Sequence, residues 1–99
     1  MIVQLKDNDL EKELTEGKVL VDFYADWCGP CKALGPVLEN YSNKNDIKIV
    51  KINVDEQQEL AYKYGVMSIP NLILFDNKHK VKENVGFLTD EELKDFIEK

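Results

Sequence analysis

Cysteine is scarce in this chain, which holds only Cys28 and Cys31. A disulfide-stapled secreted domain carries more cysteines at wider spacing. A bridge across so short an interval closes too small a loop to constrain an unfolded chain much. The pair therefore points to chemistry rather than architecture. Histidine is scarcer still, with His79 alone. A Cys-x-x-Cys zinc site would need two further ligands, and there is no second cysteine pair to supply them. No apolar run approaches the ~20 residues of a membrane span. A basic stripe is also missing: 13 Lys and Arg lie scattered among 19 Asp and Glu, for a formal net charge of −6. Without clustered cations, nucleic acid and anionic lipid are poor partners, and the acidity reads as solubility. The start of the chain, Met1-Ile2-Val3-Gln4-Leu5-Lys6-Asp7, reaches charge too early for a secretory h-region. A cytoplasmic protein is the expectation.

What is present is ordinary globular material: 99 residues, 43% hydrophobic and 32% charged. That length makes residues 1–99 one domain with one modest core. No linker, repeat or low-complexity segment interrupts it. Ile2 to Leu5 reads as a short edge strand. Asp7 and Asp9 offer caps for a helix carrying Leu10 and Leu14 and ended by Gly17. Val19-Leu20-Val21-Asp22-Phe23-Tyr24-Ala25 is almost continuous in apolar and β-forming residues and reads as a central, doubly covered strand. After the tight segment Asp26 to Pro30, Cys31, Leu34, Leu38 and Tyr41 mark one face of a helix, with a kink expected at Pro36.

Ile47 to Val54 is a second buried strand. Asp55 and Gln58 have capping-box spacing for a helix through Leu60, Ala61 and Tyr64, ended by Gly65. Leu72 to Phe75 and Val81 to Val85 flank Asp76-Asn77-Lys78-His79 as a β-hairpin. Thr89 and Glu92 form a capping box before Leu93, Phe96 and Ile97. The order β-α-β-α-β-α-β-β-α implies an α/β domain, with parallel pairing early and antiparallel pairing late in one mixed sheet, and helices on both faces.

A disulfide-exchange catalyst needs a thiolate near neutral pH and a second thiol within reach. Trp27-Cys28-Gly29-Pro30-Cys31-Lys32 meets both needs. Cys28 falls between a strand and a helix, where unpaired N–H groups and the positive end of the dipole favour a negative sulfur. Lys32 adds to that field. Gly29 removes bulk beside the sulfur, and Pro30 fixes φ in the first turn, where its missing N–H costs nothing. Cys31 sits within that turn, shielded but able to reach Cys28. In the cycle these residues imply, Cys28 attacks a partner's disulfide, and Cys31 then displaces the partner. A pair of inert core cysteines is the plainer alternative, against which Trp27 and the Gly-Pro insert argue.

Asp22-Phe23-Tyr24-Ala25-Asp26-Trp27-Cys28-Gly29-Pro30-Cys31-Lys32, followed by Pro36, resembles the active-site segment of the thioredoxin family. Tyr64-Gly65-Val66 with Ser68-Ile69-Pro70-Asn71 resembles the family's second landmark, and Val85-Gly86 its third. The resemblance runs from about Val19 to the C-terminus and fits the N-terminal strand and helix too. It implies the thioredoxin fold, a five-stranded mixed β-sheet flanked by four α-helices. Cys28 is then the nucleophile and Cys31 the resolving thiol, the two forming a redox-active disulfide. Asp22 is the buried carboxylate that handles the Cys31 proton, Lys51 the lysine beside it, and Pro70 a cis-proline facing the dithiol. Trp27, Gly29, Pro30, Ile69, Pro70 and Gly86 form the substrate-docking surface. No metal and no cofactor is implied. The implied partners are disulfide-containing protein substrates and a thioredoxin reductase that resets the dithiol, and a monomer is expected.

Plainer readings stand beside these. Trp27 has a plainer reading as core, although it adjoins a turn rather than a strand interior, Lys51 one as a solvated strand lysine and Gly86 one as a turn glycine. Asp22 is harder to explain away, because an acid among Leu20, Val21, Phe23 and Tyr24 is costly without a purpose. The chain departs mildly from the family pattern. Tyr24 stands where many members have a second Trp, Asn71 replaces the usual Thr, and Ser68 replaces a common Gly. Lys78 stands where the turn usually holds Gly, so Asn77 is expected to supply any positive φ. The function implied is disulfide reduction. The alternatives are a binding subunit whose thiols are incidental, and an oxidant or isomerase of the same fold.

Overall fold

The computed structural model describes the whole chain, Met1–Lys99. Its elements are β1 (Ile2–Gln4), a 3-10 turn (Glu11–Glu13), β2 (Lys18–Tyr24), α1 (Gly29–Lys44), β3 (Lys48–Asn53), α2 (Gln58–Lys63), β4 (Asn71–Asp76), β5 (His79–Val85) and α3 (Asp90–Glu98). The five strands form one sheet in the order β1-β3-β2-β4-β5. β1 and β2 run parallel to β3, while β4 runs antiparallel to β2 and β5 antiparallel to β4. The mixed sheet is therefore as expected.

Alternation along the central strands sends side chains to two cores. Val19, Val21, Phe23, Val50, Ile52, Ile73 and Phe75 pack with Leu5, Leu10, Leu14 and Leu60 on one face. On the other face, Leu20, Ile49, Leu72 and Leu74 meet Leu34, Leu38 and Tyr41 of α1 and Leu93 and Ile97 of α3. Asp22 shares this second face with Leu20, so the covering helix α1 seals it from water.

There are three α-helices, not four. Leu10 and Leu14 are buried as their spacing implied, but only the 3-10 turn forms between them. Asp7 does not cap a helix: its carboxylate accepts the N–H of Asp9 and pairs with Lys12, and Asn8 takes a positive φ of 55°. A short polar side chain that bonds its own backbone competes with helix formation. The capping box expected of Asp55 and Gln58 is also absent. Asn53 Oδ1 accepts the N–H groups of Asp55 and Glu56 at 2.9 and 3.2 Å, and α2 starts after Gln57 with no side-chain cap.

The C-terminal end of α2 follows expectation. Gly65 adopts φ +66°, and the N–H groups of Gly65 and Val66 reach the carbonyls of Tyr62 and Ala61. That double closure is the Schellman pattern, for which glycine carries no Cβ penalty. Thr89 and Glu92 form the reciprocal capping box of α3. In the β4–β5 turn both Asn77 (φ 50°) and Lys78 (φ 73°) are left-handed, so Asn77 does not act alone. A two-residue turn of this hand matches the twist of the strands it joins.

Candidate active site

β2 ends at Tyr24 and α1 begins at Gly29, so the intervening segment lies at the carboxyl end of the parallel strands, beyond the sheet. Cys28 is the residue that caps α1. Its Sγ accepts the backbone N–H of Cys31 at 3.2 Å, and its carbonyl accepts the N–H of Lys32 at 3.1 Å. The helix thus aims an otherwise free donor at the Cys28 sulfur. Pro30 occupies the first turn. The two sulfurs are bonded, with the Cα atoms 5.2 Å apart. Burial does not separate the two cysteines, which are 5% and 6% exposed. Orientation toward the α1 terminus does.

The segment before β4 faces the pair. Ile69–Pro70 is cis, as the resemblance implied, and the Ile69 carbonyl oxygen lies 3.8 Å from Cys28 Sγ. Ala25, Cys28 and Cys31 pack with Tyr24, Val54 and Ile69 into a small apolar cluster around the disulfide. Gly86 reads as both a turn glycine and a support: its φ of +107° excludes a side chain, and its N–H donates to the Pro70 carbonyl at 2.8 Å. A Cβ at Gly29 would meet open space, so that position leaves the approach to the sulfurs clear.

Trp27 is not core. It is 70% exposed, and its indole N–H donates to Asp55 Oδ2 at 3.0 Å. With Val54, Val66, Met67, Ser68 and Ile69 it lines an apolar hollow of about 370 Å³ beside the dithiol. Val54 and Met67 were not singled out as site residues from the sequence; Asp55 was read only as a helix cap and Val66 only as part of a family landmark. The visible signal was the run Val66-Met67-Ser68-Ile69, apolar residues in a stretch with no helix or strand to bury them.

Asp22 and Lys51 are register partners in the β2–β3 ladder. Asp22 is buried, and its Oδ1 has no hydrogen-bond partner. Burial pushes its carboxyl up to about 7, against the opposing pull of the Lys51 charge. Lys51 is half-buried rather than solvated, with its ammonium 4.5 Å from the centre of the Tyr24 ring. Lys51 and Tyr24 line a cleft of about 460 Å³ together with Ala25, Asp26, Cys31, Lys32 and Gly35; Asp22 does not line it. No group of three or more His, Cys, Asp or Glu side chains converges as a metal site would require. No helix is long and apolar enough to cross a membrane.

A dithiol at a helix N-terminus, set above a mixed sheet and faced by a cis-proline, defines a thiol–disulfide oxidoreductase. The chain belongs to the thioredoxin family, whose model matches residues 1–99. It is 48% identical to thioredoxin of Bacillus subtilis (strain 168) over 100 residues, covering 99% of this chain and 96% of that one. Thioredoxin of Staphylococcus epidermidis is 45% identical over 100 residues, with the same 99% and 96% coverage. A mutant thioredoxin from Halobacterium salinarum NRC-1 superposes with a TM-score of 0.90 at 42% identity, over 98% of this chain and 88% of that one. Reduced Schistosoma mansoni thioredoxin pre-protein gives 0.89 at 39% identity, over 97% and 94%. Membership brings disulfide reductase activity with it, and the Cys28–Cys31 pair is the redox centre.

Proposed function

We propose that the protein is a dithiol electron donor to disulfides in other proteins, with a fixed division of labour. Cys28 attacks as thiolate. One partner sulfur bonds to Cys28, and the other leaves as a thiolate and takes a proton. Cys31 then gives its proton to Asp22 and attacks Cys28 Sγ, which breaks the mixed disulfide: the partner sulfur bonded to Cys28 leaves as a thiolate and takes a proton, and the Cys28–Cys31 bond forms. The partner gains two electrons and the dithiol loses two. The observation that carries this assignment is the Cys31 N–H donated to Cys28 Sγ at 3.2 Å, which stabilises charge on Cys28 alone.

Lys51 steadies the negative charge that Asp22 carries before it accepts that proton. Trp27, Gly29, Pro30, Ile69, Pro70 and Gly86 shape the surface on which the partner lies. A thioredoxin reductase returns the electrons, the protein acts as a monomer, and the cytoplasm is its compartment. Insulin reduction by single-cysteine variants tests the assignment. Cys28→Ser abolishes turnover and forms no covalent adducts, whereas Cys31→Ser accumulates mixed disulfides. The reverse pattern exchanges the two roles. A parent protein that reduces no insulin leaves only a binding subunit.

A further inference from the structure

Lys51 has an unusual set of neighbours. Its ammonium donates no hydrogen bond to a protein acceptor and makes no ion pair within 4.0 Å, although the buried carboxylate of Asp22 stands opposite it in the β2–β3 ladder. Its one direct polar contact is the face of the Tyr24 ring, 4.5 Å from Nζ. Tyr24 stands two residues after Asp22 on β2, so both side chains project to the α1 face, and Lys51 on β3 lies opposite Asp22 in the ladder. The ring is half-buried, and its hydroxyl lies among Gln4 and Asn53. It is thus held by neighbours other than the lysine. An ammonium in a cleft open to water, lacking any hydrogen-bonding partner in the protein, returns to solvent unless an attractive surface retains it. The negative face of an aromatic ring is such a surface.

We propose that Tyr24 is a positioning residue whose ring tethers the Lys51 ammonium inside the cleft, so that ring and lysine together set the charge that Asp22 meets. The proposal rests on the reading of Asp22 as the proton acceptor only for its effect on rate. Its effect on the carboxyl stands on the geometry. Other charged or titratable groups around the cleft are Cys31 and Lys32 of α1, Asp26 of the preceding loop, and Glu56, which follows β3 and acts on Tyr24. β4 presents only Leu72 opposite Asp22.

The test is a double-mutant cycle read by the Asp22 side-chain 13C signal against pH in the reduced protein. Lys51→Met raises the Asp22 titration point by an amount on the order of 0.5, which halves, roughly, the ionised fraction near neutrality. Tyr24→Leu raises it equally, and Tyr24→Leu in the Lys51→Met background adds nothing. Tyr24→Phe, which keeps the ring and drops the hydroxyl, retains the parent titration and so controls for lost packing. Additive shifts in the double variant overturn the tether, as does a Phe variant that behaves like Leu. The pH profile of insulin reduction is recorded on the same proteins. A profile that ignores a moved Asp22 titration refutes the acceptor role while leaving the tether intact.

Discussion

Asp22 and Lys51 stand opposite each other in the β2–β3 ladder, yet no ion pair closes between them and Asp22 Oδ1 is left without a partner. The carboxyl is instead kept protonated by burial, up to a pH of about 7. The unfolded chain releases that proton near ~3.9. Between these two values the folded state holds a proton that the unfolded state has lost, so folding stability falls as pH rises through this window. At pH 8 the penalty is on the order of 4 kcal/mol at most. Asp22→Ala should therefore be more stable than the parent at pH 8, with the gain shrinking toward pH 4, while Cys31 loses its acceptor and disulfide reduction slows about 10-fold or more. Denaturant unfolding at both pH values, beside single-turnover reduction, measures the two effects. A variant less stable at pH 8 and equally fast makes Asp22 an ordinary structural acid.

Cys28 and Cys31 are equally buried, so their reactivity separates on electrostatics and direction. In the reduced protein, limiting iodoacetamide at neutral pH modifies Cys28 first, as peptide mapping by mass spectrometry reads. Preferential labelling of Cys31 removes the case for a thiolate stabilised at the α1 terminus.

The bond from Trp27 to Asp55 fixes an exposed indole at the rim of the apolar hollow. Asp55→Ala frees the ring, so each docking event must order it again. One exposed hydrogen bond is worth about 0.5–1 kcal/mol, or roughly a two- to fivefold rise in KM for a protein disulfide, with kcat less affected. Steady-state kinetics decide. A fall in kcat at constant KM places Asp55 in the chemistry instead.

Lys78 holds a φ of 73° in the hairpin turn, a conformation that costs an ordinary residue about 1 kcal/mol or more. Lys78→Gly produces the Asn-Gly pair favoured in such turns. It should raise stability by roughly 0.5–1 kcal/mol, part of the relief being offset by chain entropy. The urea midpoint reads this directly, and redox activity is unaffected because the turn lies at the far end of β4 from Pro70. A lower midpoint shows the turn to be unstrained.

The thiol chemistry was legible from the Trp-Cys-Gly-Pro-Cys string because the spacing itself brings both sulfurs into one helical turn. The strands at 18–24 and 48–53 were legible because an apolar run covered on both faces leaves few alternatives. The first expected helix was not. Leu10 and Leu14 have helical spacing, but that spacing equally suits two buried residues bracketing a 3-10 turn, and Asp7 and Asn8 divert the backbone. Asp55 misled for a related reason: a carboxylate near a helix start reads locally as a cap, whereas its partner, Trp27, is 28 positions away.

By itself, then, the sequence determined what depends on neighbours along the chain: the dithiol at a helix N-terminus, the α3 capping box, the glycine stop after α2 and the apolar periodicity that builds the sheet. Tertiary structure alone decided what depends on pairs distant in sequence. It placed the Ile69 carbonyl beside Cys28 and the indole of Trp27 on Asp55, and it set the Lys51 ammonium over Tyr24 rather than on Asp22. Local propensity acts through backbone geometry within a turn or two. The charge a buried carboxyl feels depends on which side chains the folded sheet brings within a few ångströms, and on how completely it excludes water.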